Sequence, residues 1–552
     1  MSFPILTVSW AVPAAGAIVT AALPAATGEA RRAAARWTAL GFSLVTLVVA
    51  AIATGRFSPG GARFQLTEHH SWISDFGIGY SLGVDGIAVV LVLLTAVLVP
   101  VVMLAGWHDA DPLEPAAHGS FENRRRTQGF FALILAVEAM VLLSFESTDV
   151  FLFYVLFEAM LIPMYFLIGG FGDRTEGEDA GRRSRAAVKF LLYNLLGGLV
   201  MLAAVIGLYV ISAQAHVGSG GGGSFDLPTL VQALGSGKLH LSGTAENAIF
   251  LGFMFAFAVK APLWPFHTWL PSAMGEATPA VAVLITAVVD KVGTYAMLRF
   301  CLELFPQASK TFAPAIMVLS IIGILYGALL AVGQKDIKRL VAYVSLSHFG
   351  FIILGVFAMN SQAQAGAALY MVNHGISTAA LLLVAGFLIS RRGSRLIADF
   401  GGVQKVAPIL AGTFLVAGLA TLSLPGLAPF VSEFLVLVGT FARFPVLGVI
   451  ATAGIVLAAL YVLVLYQRTM TGPVKAGVEG VKDLKARELV VVTPLIALLL
   501  VLGFYPKPVT DIVNPAVRST LSDVHQTDPA AQHPLAGPTG SNGSTSSGGE
   551  QK

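Results

Sequence analysis

Two lysines lie deep inside apolar stretches of the chain, and they are the first residues in the sequence that could do chemistry. Lys260 ends the run FMFAFAVK, and Lys291 stands within VAVLITAVVDKVGTYAMLRF. A lysine in the centre of a bilayer costs about 3 kcal/mol or more, so a lysine placed there indicates a functional group. Both residues are therefore candidate carriers of charge within a membrane.

Other titratable side chains fall about ten to fifteen residues into separate apolar runs, or directly after an interrupted one. At about 1.5 Å of rise per helical residue, this depth places them near the middle of a bilayer. The set consists of Glu138, Glu158, Lys260, Lys291, His348, His374 and Glu433. We predict that these groups form a row parallel to the membrane plane.

A row of carboxylate, amine and imidazole groups suits protons better than a bulky solute. Making or breaking one buried ion pair can move a lysine across neutrality, and histidine titrates in the same range. The hypothesis is that Lys260 binds the proton and that Glu158 sets its affinity by approaching or withdrawing. Lys291 and the two histidines would then pass the proton toward Glu433.

Each member of the row also has a structural alternative. Glu138 and Glu158 could be static partners of the lysines, and His348 and His374 could simply bond neighbouring carbonyls. His267, in PFHTWLP, lies near the cytoplasmic end of its run, where it could shape an entry or be structural. These alternatives stay open at the level of the sequence.

The elements that must position these residues are transmembrane helices. Of the 552 residues, 56% are hydrophobic and 12% are charged, against about 25% charged in soluble domains. Fourteen apolar runs are each long enough to span, including 80–106, 246–268 and 406–441. Most lysines and arginines fall in alternate loops, which predicts that both termini face outside. The chain is therefore predicted to be an all-α polytopic membrane protein.

Two of the predicted spans are interrupted by proline. Pro262 and Pro265 follow Lys260, and LPGLAPF precedes Glu433. Paired broken helices in corresponding positions mark a transport path. The similar segments YNLLGGLVMLAA and YMVNHGISTAALLL, five spans apart, predict two five-helix repeats of opposite orientation. The predicted parts are 1–127 with three spans, the repeats 128–302 and 312–467, a last span 487–506, and a disordered outside tail 511–552.

Several classes of function are excluded or disfavoured. The single cysteine, Cys301, rules out a disulfide framework and an iron–sulfur cluster held by this chain alone. The GSGGGGS run in the outside loop 214–245 follows no strand, so it indicates a flexible loop rather than a nucleotide site. A net charge of +3 does not suggest nucleic acid. We predict no metal or cofactor site in the chain.

Six blocks occur in an order that is shared with a known family. They are FYVLFEAMLIPMYFLIG, AFAVKAPLWPFHTWLP, KVGTYAMLRF, YVSLSHFGFI, NHGISTAALLL and LPGLAPFVSEF. Over about residues 80–506 the chain resembles the antiporter-like membrane subunits of respiratory complex I, the proton-translocating NADH:quinone oxidoreductase. The agreement of several blocks at once makes the resemblance specific.

The resemblance implies roles for individual residues. Glu158 matches the fifth-span glutamate that pairs with the pump lysine, and Lys260 matches that lysine. Lys291 matches the connecting lysine of the eighth span, and His348 matches the histidine of the tenth. Glu433 stands where sister subunits usually have lysine, which favours the M-type members.

The chain departs from the family pattern in two places. Asp290 precedes Lys291, where the family usually has an apolar residue, and Met274 replaces a common histidine. Neighbouring helix positions point about 100° apart, so Asp290 need not pair with Lys291 directly. It could still hold that lysine charged, and it has no inherited role.

The implied function is proton translocation in the cell (inner) membrane by one subunit of an NADH:quinone oxidoreductase. The resemblance places FMN, iron–sulfur clusters and quinone in partner subunits, with L-type and N-type subunits as neighbours. The alternatives are a subunit of a multi-subunit sodium/proton antiporter, a membrane subunit of a hydrogenase or formate-oxidising complex, and a scaffold that transports nothing.

Overall fold

The computed structural model describes residues 3–24, 28–111, 125–173 and 180–530, and within them twelve helices are long and apolar enough to cross a membrane. Parts of the predicted basic loops, including Arg124 and Arg174, lie outside the described residues.

The first nine helices are α1 (Ile5–Ala22), α2 (Glu29–Arg56), α3 (Gly86–Ala105), α4 (Arg126–Glu146), α5 (Val150–Gly169), α6 (Ala180–Gln214), the short α7 (Leu227–Gly235), α8 (Gly243–Lys260) and α9 (Leu270–Glu276). The others are α10 (Pro279–Leu302), α11 (Pro306–Val332), α12 (Ile337–Phe357), α13 (Ser361–Arg392), α14 (Pro408–Thr421), α15 (Ala428–Arg443), α16 (Pro445–Met470), α17 (Ala486–Phe504) and α18 (Lys507–Asp523). The helical membrane fold is as predicted.

Two of the predicted spans are broken helices. In the predicted span 246–268, α8 ends at Lys260 and the chain turns irregular before α9. In the predicted span 406–441, α14 ends at Thr421 and α15 begins at Ala428. Proline removes a backbone donor and clashes with the preceding turn, which explains both positions. The total of fourteen spans and the inverted repeats remain predictions.

The structure also contains a two-stranded antiparallel sheet, which the predicted all-α class does not include. Strand β1 (Gln65–Ile73) pairs with strand β2 (Ile78–Val84) across a turn in which Gly77 has a φ of +63°. The third span therefore begins at Gly86 rather than at residue 80, because Asp85 caps α3 by accepting hydrogen bonds from two backbone amides. The sequence did not predict this hairpin in the connection between the second and third spans.

The loop 214–245 is more ordered than predicted. It contains α7, which is capped by the Asp226 side chain. On either side of that cap, Val150 N donates to Phe225 O and Leu227 N donates to Thr148 O, each over 2.8 Å. The loop is thereby attached to the start of α5.

The predicted disorder from residue 511 was also wrong for the first part of the tail. Residues 507–523 form α18, which buries one face containing Val513, Val517 and Leu521. This face repeats at helical spacing, so it can pack even though the segment is polar on average. Residues 531–552 of the predicted tail lie outside the described residues.

A buried ion network anchors α18 to the C-terminal end of α10. The Arg299 guanidinium pairs with Asp85 at the start of α3 and, over 2.6 Å, with Glu303. Arg63, in the segment before β1, pairs with Glu303 and with Asp523 of α18, both over 2.6 Å. The network therefore fixes the end of the helix that carries Lys291.

Arg299→Met is expected to destabilise this network by about 3–5 kcal/mol, because the buried Asp85 carboxylate loses its ion-pair partner and Glu303 keeps only Arg63. The measurement is the thermal unfolding midpoint of the purified protein in its native assembly. Lys507→Gln is the matched control: its ion pair with Asp511 is exposed, so no measurable change is expected. Equal midpoints for both variants would contradict this role of Arg299.

Candidate functional site

Lys260 lies where the first broken helix ends, and it is completely buried. Its Nζ donates to the carbonyl oxygen of Phe157 on α5 over 3.2 Å and lies 4.3 Å from the centre of the Phe157 ring. The nearby carbonyl of Val259 accepts a hydrogen bond from Trp269 Nε1 over 2.9 Å. A carbonyl and a π-face thus replace water around the amine, and a cation over a ring is a favourable arrangement.

Glu158 lies next in sequence to the residue that contacts Lys260, but the two charges do not touch. Among the described residues, no ion pair within 4 Å joins Glu158 to Lys260, although the two groups interact electrostatically. The Glu158 carboxylate lies instead against Gly198 on α6, where a Cβ atom would overlap Oε1. The structure therefore shows the predicted pair in a separated arrangement.

Lys291 lies on the buried helix α10 and contacts a ring nitrogen of a histidine. Its Nζ is 2.5 Å from His374 Nδ1 on α13, and it lies 4.3 Å from the centre of the Phe349 ring on α12. The other ring nitrogen of His374 is buried without a hydrogen-bond partner in the described part of the chain. Each lysine of the site is thus held by an aromatic face and one polar atom.

Asp290 interacts electrostatically with both lysines. It is fully buried, and neither carboxylate oxygen has a hydrogen-bond partner among the described residues. Its charge interacts with Lys291 and with Lys260. One turn later, a Cβ at Gly293 would lie 2.9 Å from the backbone nitrogen of Ala261, so α10 approaches the break closely at this level. Two π-helical stretches, Leu284–Val289 and Met297–Leu302, flank this part of α10.

His348 continues the row beyond His374. The centres of the two imidazole rings are 5.2 Å apart, and the ring of Tyr370 lies 5.7 Å from that of His348. The His348 ring interacts with the backbone of Thr421, the last residue of α14. The histidine therefore contacts the second broken helix at the point where its hydrogen bonding ends.

Glu433 closes the row on α15, and two hydroxyl groups that were not predicted bind it. Tyr370 donates to Oε2 over 3.0 Å, and Ser423 donates to the same oxygen. Tyr370 lies one helical turn before His374, and this i, i+4 spacing could have indicated a shared face. Nothing in the sequence indicated Ser423, because its position depends on the path of the chain through the break.

The structure places most of the predicted site residues, together with Tyr370, in one series. In order along the row they are Glu158, Lys260, Asp290, Lys291, His374, His348, Tyr370 and Glu433. They come from six helices, α5, α8, α10, α12, α13 and α15, so no local segment contains the site. The described residues contain no group of three histidine, cysteine or carboxylate side chains that could hold a metal ion.

Two predicted site residues lie elsewhere. Glu138 is fully buried on α4 and accepts a hydrogen bond from Ser43 of α2 over 3.2 Å. His267 lies in the irregular segment after α8 and lines a cavity of about 220 Å³ with Lys189, Tyr326 and Arg339. The structure therefore gives Glu138 a partner outside the row and places His267 beside a polar cavity.

Comparison with known proteins gives consistent results. The family model described as NADH:quinone oxidoreductase/Mrp antiporter, TM, matches residues 147–460. NADH-quinone oxidoreductase subunit M of Mycobacterium tuberculosis is 57% identical over 96% of this chain and 97% of its own length. A chain in the structure of respiratory complex I from Thermus thermophilus with bound NADH superposes with a TM-score of 0.80 at 28% identity, covering 94% of this chain and 99% of its own. A chain of the Mrp complex from Dietzia sp. shares the fold, with a TM-score of 0.77 at 19% identity over 95% of this chain and 100% of its own.

Gly198→Ala is expected to displace the Glu158 carboxylate, because the added methyl group would occupy its position. Misplacing a reacting group by about 1 Å can cost on the order of 100-fold, so we expect a large loss of proton transport in vesicles. Gly207→Ala on the same helix is the matched control, because its methyl group would meet only Ile249, at 3.7 Å. If both variants transport protons at the normal rate, the position of Glu158 does not matter.

Proposed function

The chain belongs to the NADH:quinone oxidoreductase/Mrp antiporter family of membrane subunits, and we propose that it translocates protons in the membrane arm of an NADH-quinone oxidoreductase. Electron transfer takes place in other subunits in this proposal. The protons move along the row from Glu158 to Glu433, through the two lysines and the two histidines between them.

The contact between Lys291 and His374 is the observation that supports this proposal most directly. An ammonium group and a protonated imidazole have only donors, so a 2.5 Å contact between their nitrogens requires that one of them has a free lone pair. The pair can therefore hold one shared positive charge but not two. Such a pair is suited to receive a proton on one side and release it on the other.

The position of Asp290 supports electrostatic coupling between the two lysines. Two positive lysines near one buried carboxylate leave one charge uncompensated, which is unfavourable in a low-dielectric interior. Charging Lys260 therefore favours loss of the proton from Lys291. Because neither oxygen of Asp290 has a described hydrogen-bond partner, the carboxylate can stabilise whichever lysine is charged.

The first station is Lys260, with Glu158 as its adjustable partner. In the separated arrangement the amine has only a carbonyl and a ring, which stabilise its positive form less than a carboxylate would. Approach of Glu158 would favour protonation, and its withdrawal would favour release toward Asp290 and Lys291. His267 and its polar cavity are the proposed entry, whereas Glu138 receives no step because its described hydrogen-bond partner is Ser43.

The proposal includes partners and an orientation. L-type and N-type subunits would lie on either side, and flavin, iron–sulfur clusters and quinone would be held by other subunits. Both termini would face outside in the cell (inner) membrane, as the distribution of basic residues predicts. The fold is also that of a chain in an Mrp complex, so a sodium/proton antiporter is the second candidate.

Purification through a tag on this chain tests the proposal. We expect flavin- and iron–sulfur-containing subunits to co-purify, and NADH oxidation to drive proton uptake into vesicles that contain the complex. Lys260→Ala is expected to abolish the contribution of this subunit, and Lys238→Ala, at an exposed loop position, is the control that leaves it unchanged. Wild-type proton stoichiometry in Lys260→Ala would contradict the assignment of Lys260.

Asp290→Asn is expected to lower the rate of proton transport and to move its pH dependence to lower pH. The reason is that both lysines lose a neighbouring negative charge, so each releases its proton more readily. Asp290→Glu keeps the charge and should retain the wild-type pH dependence. An unchanged pH profile in Asp290→Asn would show that the carboxylate does not couple the lysines.

A further inference from the structure

The carboxylate of Glu433 is held by two hydroxyl groups that converge on a single oxygen. Tyr370 donates to Oε2 from α13, and Ser423 donates to the same atom from the break before α15. Both donors are buried. Hydrogen bonds from neutral donors stabilise a carboxylate more than a carboxylic acid, so this pair favours the charged form of Glu433.

The backbone conformation at Ser423 shows that this serine is unusual. It has a φ of +63°, in the left-handed region that glycine adopts freely and other residues adopt rarely. Backbone geometry alone would therefore favour glycine at this position. What serine adds is a hydroxyl group, and that hydroxyl binds Glu433.

The same short segment also contacts His348. The imidazole interacts with the backbone of Thr421, two residues before Ser423. Thr421 ends α14, and the segment from Thr421 to Ser423 therefore lies between the histidine and the carboxylate. Loss of a proton from His348 changes its interaction with one end of this segment, and Glu433 lies at the other end.

We propose that Ser423 and Tyr370 are positioning residues that keep Glu433 ready to accept a proton, and that the Thr421–Ser423 segment links this state to His348. The inference rests on the proposed function, in which Glu433 receives the proton at the end of the row. In the step, a proton leaves the imidazolium of His348 and protonates the Glu433 carboxylate, so the histidine becomes neutral and the carboxyl group becomes uncharged.

Few other titratable groups face Glu433. Tyr370 on α13 donates to it, Tyr461 on α16 interacts with it electrostatically, and His348 on α12 reaches it through the Thr421–Ser423 segment. Helix α14 carries no lysine or arginine, and no ion pair within 4 Å joins a described lysine or arginine, including Arg487 of α17, to the Glu433 carboxylate. The two hydroxyl groups are therefore the main local stabilisation of its charge.

Ser423→Gly tests the hydroxyl group independently of the backbone conformation. Glycine tolerates the positive φ, so the substitution removes only the hydrogen-bond donor. Proton transport by the intact complex in vesicles should be measured against pH, together with NADH oxidation. Losing one hydrogen bond to the charged form is expected to move the acid limb of the transport profile upward by about one pH unit. The sign follows because the carboxyl group then stays protonated, and unable to accept, up to a higher pH.

Three further variants sharpen the test. Tyr370→Phe should move the acid limb in the same direction, and Ser423→Thr, which keeps a hydroxyl, should move it less than Ser423→Gly. Tyr461→Phe is the control, because its hydroxyl has no hydrogen-bond partner among the described residues, and it should leave the profile unchanged. Equal shifts in Tyr461→Phe and Tyr370→Phe would contradict a specific role for the hydroxyl on Glu433.

Glu433→Gln distinguishes failure of this inference from failure of the proposed function. If Glu433→Gln abolishes proton transport by this subunit while Ser423→Gly keeps the wild-type profile, only the positioning role is overturned. A loss in Ser423→Gly that is equal at every pH would also overturn it, because that result indicates a structural role. If Glu433→Gln transports protons normally, both the end of the row and the inference are wrong.

Discussion

The main constraint on this site is the cost of burying two amines in a membrane when no described carboxylate contacts either of them directly. Lys260 and Lys291 are both buried, and each is held by an aromatic ring and one polar atom. A tight buried ion pair would compensate each charge fully, but it would also hold the proton. In the proposed function, the looser arrangement leaves both lysines able to lose the proton. Asp290 interacts electrostatically with both lysines, and in the proposal it couples their charges.

Members of the row lie at both broken helices. At the first break Lys260 is the last helical residue, and the chain behind it becomes irregular. At the second break the free end of α14 reaches His348, and Ser423 reaches Glu433. Irregular backbone at this depth is tolerated where protein buries it, and both breaks are surrounded by other helices. The row therefore passes both breaks within the protein interior, and its orientation parallel to the membrane stays a prediction.

The sequence was informative about features that depend on a single segment of the chain. The prolines predicted both breaks. Depth within an apolar run selected most residues of the series but neither Asp290 nor Tyr370, and the role of the series in proton transfer stays a prediction. The sequence was not informative where packing decided the outcome. The hairpin of β1 and β2 and helix α18 are short segments that the sequence did not predict. Helix α18 is stable because apolar residues such as Val513 and Val517 lie on a buried face. Glu138 has the depth of a row member, but it lies on α4 with Ser43 as its partner.

By itself, the sequence determined that the protein is a helical membrane protein, where its helices break, and which charged side chains must be buried. These properties follow from the composition and length of single segments, because the cost of a charge in hydrocarbon depends on its depth, which its position within one apolar run indicates. Only the tertiary structure decided that Glu158 stands apart from Lys260, that Lys291 contacts His374, and that two hydroxyl groups meet on Glu433. Contacts between separate helices depend on how those helices pack and rotate, and hydrophobic periodicity does not specify this for helices that are apolar all round.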